Sequence, residues 1–207
     1  NKYFSCSEKV KIDLFLRYGS IAAAGDRHLA EFCPGDWYLK DKETVEKWGF
    51  ALTPVSWRKG DLEKRLERSE KLYSGEEKFE LKETGEEGVQ QIRALLGLGD
   101  LVTNVNIPNY GQIPNLPIGA VVETNACFRA NSLNPVFAGN IPQAIYPLIS
   151  RVCGEQEQVV DCALNRDLDG VFNAFAADPN MCISVSDARK LFDEMVDNTK
   201  EYLKMYF

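Results

Sequence analysis

Apolar residues in this chain fall into short periodic runs, cut by glycine, proline and charge. The run KVKIDLFLRY at 9–18 follows Ser5-Cys6-Ser7-Glu8, which has the S-x-x-E spacing of a capping box, and precedes Gly19. It predicts a helix closed by Gly19, dense enough in apolar positions to be well buried. Residues 21–25 read as a small-residue link, and Asp26 as the cap of a short helix reaching Phe32, ended by Pro34-Gly35. Residues 42–48 give another short helix, stopped by Gly49. From 59 to 71 the chain is heavily charged, with Leu62, Leu66 and Tyr73 as a thin apolar stripe, the pattern of a solvated helix. Residues 74–85 are acidic and read as a surface loop. Thr84-Gly85-Glu86-Glu87 repeats the capping-box pattern before Val89, Ile92, Leu95 and Leu96, with Gly97 and Gly99 closing that helix.

The period then changes. Residues 101–105 and 121–128 are β-branched and alternating, which predicts an antiparallel pair across the segment between them. Beyond Asn134-Pro135 the pattern is helical again: 140–151, 155–165, 169–177 and 187–206, with Asp178-Pro179 as a break. Strands in the middle with helices at both ends predict an α+β fold of central antiparallel strands flanked by helices, in one domain over 1–207. No βαβ alternation and no GxGxxG occurs, so no dinucleotide-binding Rossmann half is read here.

The segment between the strands carries the most local constraint. NVNIPNYGQIPNLPIGAVVETNA, residues 104–126, holds Pro108, Pro114, Pro117, Gly111, Gly119 and four asparagines before Glu123. Proline fixes φ and removes a donor, so 107–117 is neither a regular helix nor a central strand. It reads as an ordered, extended loop that feeds the strand starting at Ala120. Such a loop either connects elements or presents amides to a polar ligand.

Composition narrows the function classes. Apolar residues make up 44% and charged residues 27%, ordinary for a soluble globular protein. Asp and Glu number 31 against 24 Lys and Arg, a formal net charge of −7 with interspersed signs, which speaks against a nucleic-acid surface. No apolar run reaches a membrane span, no signal peptide opens the chain, and no initiator Met precedes Asn1, as for a piece of a longer cytoplasmic protein. Six cysteines without a CxxC pair read as reduced thiols.

The string Asn109-Tyr110-Gly111-Gln112-Ile113-Pro114-Asn115-Leu116-Pro117, followed by Ala120-Val121-Val122-Glu123, resembles a hallmark of glycoside hydrolase family 4. Tyr18-Gly19 through Gly25-Asp26-Arg27-His28-Leu29-Ala30-Glu31-Phe32 resembles that family's segment near the sugar-binding cleft. The resemblance covers only the C-terminal part of such an enzyme. It implies a lactate/malate dehydrogenase C-terminal type of α+β fold and a substrate-binding and oligomerisation role. It further implies a preceding NAD-binding domain and a full-length enzyme that uses NAD and Mn2+. That enzyme oxidises the sugar at C3 and expels the aglycone by elimination. The Gly-rich loop and the Cys/His metal motif are missing from these 207 residues, so neither cofactor is expected in this chain alone, and the chain alone is expected to be inactive. Some members use a tyrosine as base near where His28 stands here. This departure from the phospho-sugar branch fits α-galactosides or α-galacturonides.

Under that resemblance, the catalytic candidates are His28, Asp26 and Tyr18. His28 is the only histidine, and on a helix it shares a face with Glu31. Arg27, Glu31, Asn109 and Arg129 are the substrate-binding candidates, with Arg17, Arg27 and Arg129 able to match a sugar carboxylate bidentately. Asp26, Arg27, His28, Glu31 and Asn109 are expected to line one cleft. Leu148, Ile149, Val152, Leu191, Phe192 and Met195 are expected to face a neighbouring subunit, since the resemblance implies a homo-oligomer. The rival reading is a non-catalytic binding or assembly module. A third, a hydroxy-acid dehydrogenase, is opposed by the 109–117 string.

Overall fold

Glycine and buried apolar positions set the first half of the fold. The computed structural model describes residues 2–82 and 84–206. Helix α1 (Lys9–Tyr18) ends at Gly19, whose φ of +70° suits a residue without a Cβ. It is followed by α2 (Asp26–Glu31), α3 (Gly35–Tyr38) and α4 (Lys42–Trp48), the last capped by Asp41 on the Thr44 N–H. These four helices close around Val10, Leu14, Ala30, Cys33, Tyr38 and Val45. Only Val10 and Leu14 of α1 are buried, however, while Ile12, Phe15 and Leu16 stay exposed. The capping box at Ser5 does not form: the Ser5 hydroxyl donates to Lys2 O, and the chain enters α1 through Glu8 at φ +57°.

Helix α5 (Val55–Ser74) buries none of its residues. The loop after it contains Glu83, which lies outside the described residues. Helix α6 (Gly88–Leu95) begins later than its capping pattern suggests, because Thr84 Oγ1 accepts the Glu86 N–H in a local turn instead.

A sheet of order β1-β2-β3 follows: β1 (Leu101–Pro108), β2 (Val121–Arg129) and β3 (Ser132–Pro135), all antiparallel. Ile107 pairs with Val122 and Pro108 with Val121. Pro108 is tolerated because β1 is an edge strand. One sheet face, with Val122, Thr124, Ala126 and Phe128, is buried, partly under α6. The other exposes Asn104, Asn106, Glu123 and Asn125. The fold is thus α+β, as the periodicity predicts, with β3 too short to register in it.

Helices α7 (Tyr146–Asn165), α8 (Leu168–Ala177) and α9 (Val185–Thr199) complete the chain, with tight turns of 3-10 type after α9. The two helices read at 140–151 and 155–165 are one. Pro147 sits at its start, where its missing N–H costs nothing, and Gly154 does not break it. Phe192 packs on Phe172 and Ala188, so it faces its own chain.

The β1–β2 loop is built by side-chain amides. Asn109 is fully buried: its Nδ2 donates to Ile113 O, Leu116 O and Pro117 O at 2.9, 3.0 and 3.1 Å, and its Oδ1 accepts from Gly111 and Ile113 N–H. Gln112 bridges the Tyr110 N–H and Pro108 O. Asn115 exchanges two 2.9 Å bonds with the backbone of Ile141, tying the loop to the segment before α7. Removing the Asn109 amide strands several buried backbone groups at once. Asn109→Ala therefore destabilises the chain by about 2–4 kcal/mol in urea unfolding. Asn115→Ala, whose partners are closer to water, costs about 1 kcal/mol. Equal losses in the two variants would contradict this assignment.

Candidate functional site

Helix α2 is held where α1, the loop and α7 meet. Asp26 is its first residue and is 0% exposed. It does not cap its own helix, whose cap is Gly25. Its Oδ1 accepts the Lys11 N–H at 3.0 Å, so it supplies the cap that the first turn of α1 lacks. Its Oδ2 is buried without a partner.

Arg27, His28 and Glu31 form a chain of contacts on the outer face of α2. The Arg27 Nη1 donates to Thr53 Oγ1 at 2.6 Å and to Tyr3 O at 3.4 Å, and its Nη2 lies 3.3 Å from His28 Nε2. A guanidinium cannot accept a hydrogen bond, so Nε2 is the acceptor. The remaining ring proton then sits on Nδ1, 3.2 Å from Glu31 Oε2. The tautomer of His28 is thus set by its two neighbours. Three of the five guanidinium donors are engaged, which leaves two for an anion. The Glu31 backbone oxygen accepts from Asn180 Nδ2 at 2.6 Å, and Gly35 N–H donates to Pro179 O, pinning α2 and α3 to the link between α8 and α9.

Behind α2 lies an apolar pocket of about 340 Å³, walled by Leu14, Leu29, Phe32, Leu116, Val122 and Ile149. A wider groove of about 1000 Å³ adjoins it between α7, α8 and α9 and includes Glu31, Phe32 and Val121. Both sizes suit a small ligand or an inserted apolar segment. Leu148, Ile149 and Val152 line the smaller pocket, and Leu191 and Met195 the larger groove.

The structure gathers some of the sequence candidates and separates others. Arg27, His28 and Glu31 are together. Asp26 adjoins them in sequence, but its carboxylate turns inward. Asn109 was expected to bind substrate; all its amide capacity is spent inside the loop, so it shapes the site and offers nothing to a sugar. Arg129 ion-pairs with Asp100 at 3.0 Å at the far end of β2, roughly 26 Å along the strand from Val121 at strand spacing. Tyr18 is half-buried against the N-terminal core, with the Arg17 guanidinium 5.7 Å from its ring centroid.

Arg17 is also taken. It pairs with Asp13 at 2.6 Å, contacts the Tyr38 hydroxyl, and lies 4.5 Å from the centroid of the Trp37 ring. Tyr38, which sequence reasoning passed over, donates to Asp13 at 2.5 Å. Burial, followed by the Asp13 bond, raises its pKa well above the ordinary tyrosine value. Burial likewise pushes the nearby Cys33 thiol up to about 11. The signal in the sequence was the i, i+4 spacing of Asp13 and Arg17.

Among the described residues, Cys6, Glu8 and Asp26 bring a sulfur and two carboxylate oxygens within 4.8 Å of one another. The Lys11 ammonium already lies 2.7 Å from Glu8 Oε2. The Lys11 hydrogen bond, then that of the Cys6 thiol, holds Glu8 below its usual range. With the Lys11 ammonium already neutralising Glu8, this set does not fit the divalent metal the resemblance implies.

Comparison with known proteins places these features in context. The profile described as Family 4 glycosyl hydrolase C-terminal domain matches residues 1–181. An alpha-galacturonidase of Thermoanaerobacterium saccharolyticum is 64% identical over 203 residues, 98% of this chain and 44% of that protein. The chain thus spans less than half the length of this relative. A crystal structure of the Bacillus subtilis protein lplD, described as a glucosidase, superposes with a TM-score of 0.87 at 47% identity, over 94% of this chain and 44% of that one. A 6-phospho-alpha-glucosidase from gut microorganisms, in complex with NAD and glucose-6-phosphate, matches 55% of this chain and 26% of its own, at a TM-score of 0.51 and 27% identity.

Because Lys11 occupies the Cys6–Glu8–Asp26 cluster, adding Mn2+ to the 207-residue chain leaves its melting temperature unchanged. A saturable rise that vanishes in Cys6→Ser would contradict this reading of the cluster.

Proposed function

Since the chain belongs to the family 4 glycosyl hydrolases, in their C-terminal domain, we propose that it is the substrate-side domain of a longer, cytoplasmic α-galacturonidase. The observation that carries this reading is the 64% identity to a galacturonidase along 98% of the chain. In it, residues 1–207 act as one domain beside an NAD-binding domain supplied by the rest of the longer protein. The reaction assigned to the whole is oxidation–elimination with NAD and Mn2+, both held outside these residues. The unpaired state of all six cysteines supports a reducing location. No helix among the described residues is long and apolar enough to cross a membrane.

This chain's own part is recognition and proton handling. The two spare donors of Arg27 receive the substrate carboxylate, and the bonds to Thr53 and Tyr3 hold the guanidinium still for it. His28 is the acid–base group: when the sugar takes over the Arg27 guanidinium, Nε2 is free to accept a proton from the substrate, while Nδ1 keeps its hydrogen bond to Glu31. Glu31 both orients His28 and accepts a sugar hydroxyl. Asp26 is a positioning residue that fixes α2 against α1, and Tyr18 stiffens the end of α1 beneath it. A non-catalytic assembly module is the alternative, and it requires none of these roles.

The test compares p-nitrophenyl α-galacturonide with the α-galactoside, using the full-length protein with NAD and Mn2+. Arg27→Gln lowers kcat/KM on the galacturonide by about 10- to 100-fold, the worth of a charge-assisted pair, and spares the galactoside. The 207-residue chain alone shows no turnover. Equal loss on both substrates, or hydrolysis by the isolated chain, would overturn the assignment.

A further inference from the structure

Arg27 is held from two sides, by its own helix α2 and by residues gathered from elsewhere in the chain. This second group joins the turn at Lys2–Phe4 to the start of α5. The Arg27 Nη1 uses both its donors there, on Thr53 Oγ1 at 2.6 Å and on Tyr3 O at 3.4 Å. Thr53 Oγ1 in turn reaches Tyr3 O at 3.5 Å. These bonds fix one nitrogen of the guanidinium. With the His28 contact given up to a substrate, they leave its plane free to turn about that nitrogen. A carboxylate meets two parallel N–H donors only when it lies in that plane.

The Phe4 ring limits that turning. Arg27 Cζ lies over it, 5.2 Å from its centroid, so the ring closes one face of the guanidinium. Phe4 is 48% exposed, and burial does not hold it. Its brace is Trp57, in the first turn of α5. The two rings meet edge to face, with centroids 5.3 Å apart and planes at 77°. The indole also lies 6.2 Å from the ring of Tyr3, the residue whose carbonyl accepts from Nη1. Trp57 thus stands behind both the face contact and one of the edge contacts. Helix α5 buries none of its residues, yet this ring ties its first turn to Arg27.

We propose that Trp57 is a positioning residue for substrate recognition. Acting through Phe4 and Tyr3, it sets the plane of the Arg27 guanidinium, and so the preference for a sugar carboxylate over a neutral hydroxymethyl group. This role rests on the reading of Arg27 as the carboxylate grip. An arginine whose plane is not set in advance is ordered only when the substrate arrives, and that weakens binding of the uronide. A neutral sugar makes no use of the fork, so its binding does not depend on the plane.

The test uses the full-length protein with NAD and Mn2+ and compares p-nitrophenyl α-galacturonide with the α-galactoside. Trp57→Ala is expected to raise KM for the galacturonide about fivefold to tenfold relative to the galactoside, with kcat on the galacturonide little changed. Trp57→Phe, which keeps a ring against Phe4, holds the wild-type ratio of the two substrates. Trp57→Ala/Arg27→Gln discriminates between them no less than Arg27→Gln alone, since Trp57 acts through Arg27. Phe4→Leu, at an exposed position, removes the ring from Arg27 without touching α5 and is expected to repeat the Trp57→Ala result, so the test stands even if the latter fails to fold. An unchanged substrate ratio in these variants overturns the proposal. So does an equal loss on both substrates, the mark of a brace for the fold alone, and so do additive losses in the double variant. Arg27→Gln separates the proposal from its premise. If that variant loses both substrates equally, the carboxylate grip falls and the role of Trp57 with it. If it is selective while Trp57→Ala is not, the role of Trp57 alone falls.

Discussion

One buried amide organises the middle of this molecule. Asn109 closes five hydrogen bonds onto the backbone of its own loop, and the backbone pairs Asn109 N–H to Ala120 O and Gly119 N–H to Asn109 O shut the loop's neck. A segment with three prolines has few donors of its own and cannot satisfy its carbonyls by forming regular structure. A side-chain amide, with two donors and one strong acceptor, fills that gap without water. The loop can therefore be irregular and rigid together. Its apolar residues Ile113 and Leu116 then pack on Val122 and make the wall against which Ile149 of α7 lies.

That wall fixes the far side of the pocket behind α2, and a second buried polar group fixes the near side. Asp26 plays the same part for α1 that Asn109 plays for the loop, satisfying backbone donors that have no regular partner. The two residues resemblance would place at a sugar, Asp26 and Asn109, thus both serve the scaffold. The groups left facing outward, Arg27, His28 and Glu31, are those whose position the scaffold determines. A site on this helix would need such support, since an exposed arginine or histidine on a loose helix would sample many positions. The link through Asn180 and Pro179 adds the C-terminal helices to the same frame.

Local chemistry made much of this legible in the sequence. Gly19 and Gly49 stop their helices at positive φ, the strand alternation gives β1 and β2 in antiparallel register, and the charge density of α5 foretells its exposure. Tertiary assignments were not legible. The capping box at Ser5 lost to the Asp26 carboxylate, 15 residues beyond the Lys11 N–H that it accepts, which no local pattern encodes. A fused α7 was hidden because Gly154 reads as a breaker, while packing outweighs a cost of about 1 kcal/mol. The loop announced that it was constrained, but not that its asparagine would point inward. For the same reason, Arg17 and Arg129 looked equal to Arg27 until Asp13, Tyr38 and Asp100 were seen to hold them.

The rigidity of the loop can be measured directly by amide hydrogen exchange at Gly111 and Ile113, whose N–H groups donate to Asn109 Oδ1 at 3.1 and 3.2 Å. Both lie outside any helix or strand. If the buried amide holds the loop, they exchange as slowly as the paired amides of β2 and open only with the domain. Exchange at the rate of the exposed residues 78–82 would mean that the loop is mobile, and that the pocket wall has to be made by something else.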